Sequence, residues 1–362
     1  ALLILAFAAV LLPACSGSPA KKPGEPGSIG MEKAWRRLGP GGGGAMFLPT
    51  VNPSDPDNVF LRCDMTGAYV TRNGGQDWRM FNLRSVVRDF EFDPANPDII
   101  YASNTGLYRS DDRGDNWELI YPDPVDITEE RMVGDHAEQY FVTGQGEMQA
   151  EIVKVRIDPG NSDRIYIGLT SPYESTVAEG EKGVGAGAPV LVSSDRGRTW
   201  RELARVAGTT VLAIVPGNWD GLPDELIVVT DKAVARIIES TGEITEQPLP
   251  GLRAAHADAG AGKDGSVIYL MTSSSSQPDY LPSGDEIYRS VDRGLTWTLA
   301  MGGLLEQQAK SGNKPVFSTI AVCESRPEVA YLSCNRYYTG KEEDRQFGIF
   351  RTDDGGTNWR WV

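Results

Sequence analysis

An eight-residue pattern, Ser/Thr-x-Asp-x-Gly-x-Thr-Trp, constrains the fold of this chain because variants of it occur at five places. The copy at residues 290–297 reads Ser-Val-Asp-Arg-Gly-Leu-Thr-Trp, and the first copy has Asn73 in place of the aspartate. The other copies span residues 71–78, 110–117, 193–200 and 352–359. The hydroxyl and carboxylate are suited to accept backbone N–H groups in a tight turn, the glycine to adopt positive φ, and the tryptophan to be buried beside it. We therefore interpret the motif as a structural hairpin turn, whose residues are Asp112, Trp117, Asp195, Trp200, Asp292, Trp297, Asp354 and Trp359.

Each turn belongs to a larger repeat of four short strands. In the second repeat the predicted strands cover residues 86–92, 99–103, 107–110 and 117–120. The gap between the turns at Ser193 and Ser290 is about twice the repeat, so it should contain a degenerate copy. Residues 211–215, 226–230 and 234–238 supply its strands, and a weak turn follows at residues 240–242.

Six four-stranded units in tandem predict an all-β fold, a β-propeller with Asp-containing turns. A β-sandwich is the second choice, because it gives no reason for one turn to recur at blade-sized intervals. Seven blades are expected, since closing the ring takes one more blade or a borrowed strand. The absence of an initiating Met and the end soon after Trp359 favour a fragment of a longer protein.

The N-terminus has the composition of an export signal. Residues 1–14 form an apolar run too short to span a bilayer, and Leu-Pro-Ala-Cys at residues 12–15 resembles a bacterial lipoprotein signal. We expect Cys15 to be lipid-modified and the protein to be anchored in the periplasm or at the cell surface; an ordinary signal peptide is the alternative. Residues 15–44, rich in Gly, Pro and Ser, are expected to be a flexible tether, and residues 45–362 the propeller.

Charge and composition exclude several kinds of partner. The net charge of −15 and the absence of a Lys/Arg cluster argue against nucleic acid and against membranes, apart from the lipid anchor. With two histidines, and with cysteines that match no zinc-binding spacing, we expect no metal and no cofactor. Besides Cys15 there are Cys63, Cys323 and Cys334, so at most one disulfide is expected among them.

The long insertions all fall on one side of the predicted blades. The repeated turns join third to fourth strands, whereas the insertions join second to third strands or successive blades, which lie at the opposite end. They are residues 122–149, 171–187, 273–284, 304–314 and 335–347. We call this end the decorated face. We expect it to hold the functional site and to bind a polysaccharide or protein ligand.

A family resemblance is carried by the first repeat. Gly-Gly-Gly-Gly-Ala-Met-Phe at residues 41–47, Asn-Pro at residues 52–53 and Leu-Arg-Cys-Asp-Met-Thr-Gly-Ala-Tyr at residues 61–69 resemble the opening of xyloglucanase-type glycoside hydrolases of family 74. The resemblance implies two seven-bladed propellers around a groove for a β-glucan chain. It also implies that Asp64 is one of two carboxylates of an inverting hydrolase, with the second in the second propeller. The family pattern has Thr, Gly and Arg where this chain has Cys63, Thr66 and Val70.

Other residues of the decorated face could take part in the site. Asp135, Glu138 and Glu174 are weaker local substitutes for the second carboxylate, because an acidic protein carries such residues on its loops by default. His136 is a possible contact, although a solvated loop histidine explains it equally. Candidate stacking platforms for sugar rings are Tyr140, Tyr173, Tyr280, Tyr337 and Tyr338, whereas Tyr69 lies in a strand and fits a core role.

Alternative functions stay open from the residues alone. Asp64 has a structural interpretation, because an aspartate before a glycine-containing loop often accepts only a backbone N–H. Sialidases share the repeated turn, but the Arg-Ile-Pro segment of their arginine triad is missing here. A non-catalytic propeller, similar to photosystem II assembly factors or sortilin-type modules, would bind a peptide or a partner protein on the same face.

Overall fold

The structure is a computed structural model and describes residues 39–40, 44–134, 136–144, 147–170, 187–273, 283–304, 316–337 and 346–362. The elements of regular structure with described bounds are β-strands and two short 3-10 helices, Pro124–Asp126 and Gly217–Asp220. Six antiparallel sheets of four strands follow one another along the chain, and each runs in chain order from its innermost to its outermost strand. The predicted β-propeller architecture is confirmed.

The blades have the following bounds. Blade one contains β1 (Met46–Asn52), β2 (Asp55–Cys63), β3 (Gly67–Thr71) and β4 (Arg79–Asn82), and blade two contains β5 (Asp89–Phe92), β6 (Ile100–Ser103), β7 (Leu107–Ser110) and β8 (Glu118–Tyr121). An inserted sheet of β9 (Ile127–Val133), β10 (Glu138–Thr143) and β11 (Glu147–Met148) precedes blade three. Blade three contains β12 (Ile152–Asp158), β13 (Asn161–Leu169), β14 (Ala188–Ser193) and β15 (Arg201–Val206). Blade four contains β16 (Val211–Pro216), β17 (Glu225–Thr230), β18 (Ala233–Ile238) and β19 (Glu243–Pro248). Blade five contains β20 (Arg253–Gly262), β21 (Gly265–Ser273), β22 (Glu286–Ser290) and β23 (Thr298–Leu299), and blade six contains β24 (Val316–Val322), β25 (Ala330–Tyr337), β26 (Gln346–Thr352) and β27 (Arg360–Trp361).

One detail differs from the sequence-based expectation, and two others agree with it. The long segment after blade two, expected to be a loop, forms the inserted sheet, because the alternating run at residues 138–143 pairs with β9. The outermost strand of blade four, β19, contains no tryptophan, since its turn at residues 240–242 lacks the full motif. Among the described residues, Cys63, Cys323 and Cys334 form no disulfide.

The hydrophobic core lies between the blades. Side chains alternate along each strand, so one strand serves two interfaces. In β17, Leu226 and Val228 pack toward blade three, whereas Ile227 and Val229 pack toward blade five. Five such clusters connect the six blades in succession. The blades are therefore joined by side-chain packing, since the hydrogen-bonded ladders stay within each blade.

The repeated turns have the predicted hydrogen bonds. In the second copy, Ser110 Oγ accepts the backbone N–H of Gly114 at 2.7 Å, and Asp112 Oδ1 accepts that of Asn116 at 2.8 Å. Arg113 and Gly114 both have positive φ, 59° and 84°, so the position before the glycine is also left-handed. The hydrogen bonds hold the pKa of Asp112 at about 2. This stabilisation is present above the ordinary aspartate pKa of about 3.9 and is lost as the pH falls toward 2.

The tryptophan of each full turn reaches the preceding blade. Trp117 stacks on Phe81 of blade one with ring centroids 5.2 Å apart, and Trp200 Nε1 donates to the carbonyl oxygen of Ile120 in blade two at 3.3 Å. Trp359 is only 3% exposed, and its Nε1 donates to Ala300 of blade five at 2.8 Å. The turn thus fixes the angle between neighbouring blades as well as the hairpin.

The innermost strands line a polar centre. Asp89 accepts the backbone N–H of Val155 in the next blade at 3.0 Å, and Asp258 accepts that of Val322 at 2.7 Å. Arg156 contacts Glu91 at 3.1 Å and also Glu324 of blade six, which follows the end of β24. The ion pair between Arg156 and Glu324 therefore crosses the centre of the propeller, near the face that carries the repeated turns.

The strand order places the insertions as predicted. Residues 171–186 lie between β13 and β14, residues 274–282 between β21 and β22, and residues 338–345 between β25 and β26, all second-to-third connections. The inserted sheet and residues 305–315 connect successive blades. All five connections therefore leave from one face. None of the helices in the described ranges is long and apolar enough to cross a membrane.

We predict that Trp359→Ala will lower the free energy of unfolding by about 3–5 kcal/mol, because it removes a buried ring and leaves the Ala300 carbonyl without its donor. Trp361→Ala is the matched control, since this ring is 42% exposed in the same blade. Urea unfolding of both variants measures the difference. Equal losses for the two would contradict the role of Trp359 as an inter-blade contact.

Candidate functional site

Asp64 lies on the decorated face, in the connection between β2 and β3. Its backbone N–H donates to the carbonyl oxygen of Ala45 at 3.0 Å, which ties the connection to the segment that enters β1. The side chain is exposed. The structure thus places this carboxylate where a ligand on the decorated face can reach it.

Two neighbours fix the Asp64 carboxylate. The Cys63 thiol donates to Asp64 Oδ1 at 3.0 Å. Gly44 has a φ of 89°, and a Cβ at this position would lie 2.7 Å from Asp64 Oδ1 and 2.8 Å from Cys63 Sγ. Only a glycine leaves room for the carboxylate, which gives a physical reason for the last glycine of the run at residues 41–44.

The surroundings favour the ionised form of Asp64. The hydrogen bond from Cys63 is the largest cause that holds the pKa of Asp64 below its ordinary value, and the backbone of Ala45 and the charge of His136 act in the same direction. Burial, and then the hydrogen bond to Asp64, raises the pKa of the Cys63 thiol. At neutral pH the pair is therefore a carboxylate and a neutral thiol, which suits Asp64 to accept a proton.

Arg62 stands next to this carboxylate. Its guanidinium lies over the Phe47 ring, 4.7 Å from the centroid, and its Nε is buried with no hydrogen-bond partner. Burial and the nearby charge of Arg88 lower the pKa of Arg62, although Asp64 opposes them. A cation held on an aromatic ring beside an exposed carboxylate can bind the hydroxyl oxygens of a polar ligand.

A second polar group comes from the connections between blades. Arg88 donates to Glu151 Oε1 at 2.7 Å, and the Tyr140 hydroxyl donates to the same oxygen at 3.0 Å. Arg88 directly precedes β5, and Glu151 directly precedes β12. Arg62 interacts electrostatically with both Asp64 and Glu151, so the two carboxylates act on one guanidinium.

The inserted sheet packs on blade two at the same face. The backbone N–H of Gln139 donates to the carbonyl oxygen of Arg84 at 2.8 Å, and the Gln139 carbonyl oxygen accepts the Thr105 hydroxyl at 2.7 Å. Ser85 Oγ donates to Glu138 Oε2 at 3.4 Å. These contacts position Tyr140, which lies on the same strand, β10, against Glu151.

The structure brings together some of the predicted site residues. Asp64 and His136 are exposed and close enough to interact electrostatically, and Tyr140 is half-buried with its hydroxyl on Glu151. Tyr69 is half-buried in β3, as expected of a strand residue. Tyr337 is the last residue of β25. Outside the described residues lie Cys15, Asp135, Tyr173, Glu174, Tyr280 and Tyr338.

Sequence reasoning missed Arg62, Arg88 and Glu151 as members of the site. Arg88 and Glu151 each occupy the last position before an innermost strand, where the chain enters from the decorated face. A charged residue directly before an apolar innermost strand is the sequence feature that could have identified Arg88 and Glu151 as members of the candidate site. Among the described residues, no cluster of three or more His, Cys, Asp or Glu side chains is arranged to hold a metal ion.

Comparisons with known proteins agree with this architecture. Residues 107–120 match the model of the BNR-Asp box repeat. A xyloglucanase from Paenibacillus sp is 23% identical over 289 residues, which cover 74% of this chain and 22% of that protein. A family 74 enzyme from Niastella koreensis superposes with a TM-score of 0.58 at 17% identity, covering 90% of this chain and 46% of the other. The family 74 xyloglucanase from Xanthomonas campestris gives a TM-score of 0.53 at 17% identity, with 86% and 46% covered. The chain thus resembles family 74 in sequence and fold, and it spans less than half the length of these relatives.

We predict that Cys63→Ala will raise the pKa of Asp64 toward the ordinary value of about 3.9, because it removes the strongest donor to the carboxylate. Cys63→Ser, which keeps a donor, should retain most of the lowering. Cys323→Ala, in blade six, is the matched control and should change nothing. Carbon-13 NMR titration of the Asp64 carboxyl group measures all three; an unchanged pKa in Cys63→Ala would show that the thiol does not tune this carboxylate.

Proposed function

We propose that this family-74-like propeller supplies one of the two carboxylates of an inverting glycoside hydrolase that acts on β-glucan of the xyloglucan type. The observation that carries the proposal is the exposed Asp64, which is held in its ionised form on the decorated face. The xyloglucanase similarity over three quarters of the chain supports the choice of substrate class.

In this proposal Asp64 acts as the base. Inverting hydrolysis needs one carboxylate to take a proton from water while the water oxygen attacks the anomeric carbon. A second carboxyl group, roughly 6.5–9.5 Å from the first, protonates the departing glycosidic oxygen. A lowered pKa suits the base and not the acid, which must hold its proton at the working pH. The acid would come from a second propeller, as the family resemblance implies.

The neighbours of Asp64 would bind the sugar chain. Arg62 is held on the Phe47 ring and interacts electrostatically with Asp64, and its guanidinium can donate to sugar hydroxyls. We propose that the aromatic residues of the same face, including Tyr140, line the path of the polysaccharide, and that His136 contacts it near the base. A neutral glycan also agrees with the net charge of −15, which disfavours anionic polymers.

We predict that Asp64→Ala in the full-length protein will reduce the release of reducing ends from xyloglucan by roughly 10²–10⁴-fold, the usual contribution of a general base. Asp57→Ala is the matched control, because Asp57 is also exposed and lies on β2 near the opposite face. Other β-glucans should be tested in parallel. If Asp64→Ala and the wild type release sugar equally, Asp64 is not the base.

The same experiment separates hydrolysis from simple binding. A wild type that binds xyloglucan in affinity electrophoresis but releases no reducing ends would identify a non-catalytic glycan-binding propeller. A protein that neither binds nor cleaves the glycan would favour a protein ligand on the decorated face instead.

We also propose that the protein is exported and anchored through a lipid on Cys15, on the basis of the apolar run and Leu-Pro-Ala-Cys at residues 12–15. Cys15→Ser should move the protein from the membrane fraction to the aqueous fraction of a bacterial host. Metabolic labelling with palmitate should mark the wild type only. Labelling of both proteins would contradict this assignment.

A further inference from the structure

An arginine–aspartate pair accompanies the repeated turn in two blades. The arginine stands immediately before the hydroxyl residue, and the aspartate immediately after it. Arg109 Nε donates to Asp111 Oδ1 at 2.7 Å in blade two, and Arg351 Nε donates to Asp353 Oδ1 at 2.9 Å in blade six. The aspartate thus neutralises a guanidinium that the strand fixes at the end of the blade.

Blade five keeps the arginine and loses the acid. Arg289 occupies the position of Arg109, but Val291 replaces the aspartate and is 59% exposed. Among the described residues, no carboxylate lies within ion-pair distance of Arg289, and its Nε is buried without a hydrogen-bond partner. An exposed valine therefore stands beside a guanidinium that has no carboxylate partner in the described part of the chain.

Packing holds the Arg289 guanidinium in place. Its Cζ lies 6.0 Å from the centroid of the Tyr269 ring, on the same blade. Gly355 of blade six also lies close to the guanidinium, because a Cβ added there would stand 3.1 Å from both Cζ and Nε of Arg289. The equivalent position carries an arginine in three other turns, so the glycine makes room for Arg289.

Blade six lacks a second ion pair that accompanies the repeated turn in blade two. In blade two, Arg113 pairs with Asp98, with its Nε 2.6 Å from Oδ1, and its N–H donates to the Asp98 carbonyl at 3.0 Å. In blade six the corresponding backbone bond runs from Gly355 to Glu328, also at 3.0 Å. Because Gly355 has no guanidinium, Glu328 has no equivalent partner.

These changes surround a pocket of about 660 Å³ between blades five and six, on the face opposite the decorated one. Arg289 and Val291 line one side, and Val267 and Pro327 supply further apolar surface. Of the remaining charged groups in the lining, Lys263 and Asp264 approach each other at 3.9 Å. The other charged residues of the lining are Arg289, Arg326 and Glu328, which together carry one net positive charge.

We infer that this pocket binds a small organic anion. Its carboxylate, or a similar planar or tetrahedral acid group, would take the place of the missing aspartate on Arg289. Its apolar part would pack against Val291 and Pro327, so that the ligand would cover the valine side chain, which is otherwise exposed to water. The site is remote from Asp64, because it lies among the repeated turns.

The probe for this site is anilinonaphthalene sulfonate, which joins an acid group to an apolar aromatic body and becomes fluorescent when bound. Val291→Asp should restore the pair seen in blades two and six and weaken binding by about tenfold or more. Val291→Thr, of the same shape but uncharged, should bind nearly as the wild type does. Arg289→Gln should also lose binding, whereas Glu328→Gln should strengthen it.

Circular dichroism and thermal unfolding establish that each variant is folded before titration. Should Val291→Asp be unfolded, the comparison of Arg289→Gln with Glu328→Gln still decides the matter, because the two changes have opposite expected signs. Equal affinity of the wild type, Val291→Asp and Arg289→Gln would overturn the inference, since the probe would then bind elsewhere. Xyloglucan hydrolysis should be unchanged in Val291→Asp, so this outcome is independent of the role of Asp64.

Discussion

The packing of neighbouring blades depends on the hydrogen bonds that the hydroxyl residue makes in each repeated turn. In the second copy, Ser110 Oγ accepts the N–H of Gly114 and donates to Asp112, and Asp112 in turn accepts the N–H of Asn116. This closes a turn with two successive left-handed residues, whose strain needs such compensation. The closed turn delivers the tryptophan into the preceding blade, where it joins the cluster that binds the two sheets. In blade four, which lacks this turn, the hydrophobic clusters with blades three and five make the contacts instead.

The same arrangement places the stabilising turns and the proposed site at opposite ends of the blades. The repeated turns and their tryptophans occupy one face, where the aspartate carboxylates accept backbone N–H groups within the turns. These hydrogen bonds hold the pKa of Asp195, like that of Asp112, at about 2. The connections on the other face do not contain the repeated turn, and they include insertions such as a complete three-stranded sheet. Asp64 belongs to that second face. Its thiol donor and the close approach of Gly44 tune a carboxylate whose neighbours leave it open to a ligand.

Much of this was accessible from the sequence, and the exceptions have a common cause. The turn motif predicted the blade order, and the family-like segment around Asp64 predicted the carboxylate and its face. Arg62, Arg88 and Glu151 were missed, because they converge only when connections from three blades meet at the decorated face. The exchange of Asp for Val at position 291 was visible as well. The proposed consequence of this difference depends on the structure, because Gly355 and Glu328, which lie near Arg289, belong to the next blade.

The sequence by itself determined the all-β repeat, the turns and the face on which the insertions leave, because hydrogen bonds within a turn and alternation along a strand are local properties. Only the tertiary structure decided which charges stand together. Arg62 interacts electrostatically with Asp64 and Glu151, and Arg289 lies beside a pocket formed by two blades. Such contacts join residues distant in the chain through the packing of one sheet on another. No local pattern encodes the distance between them.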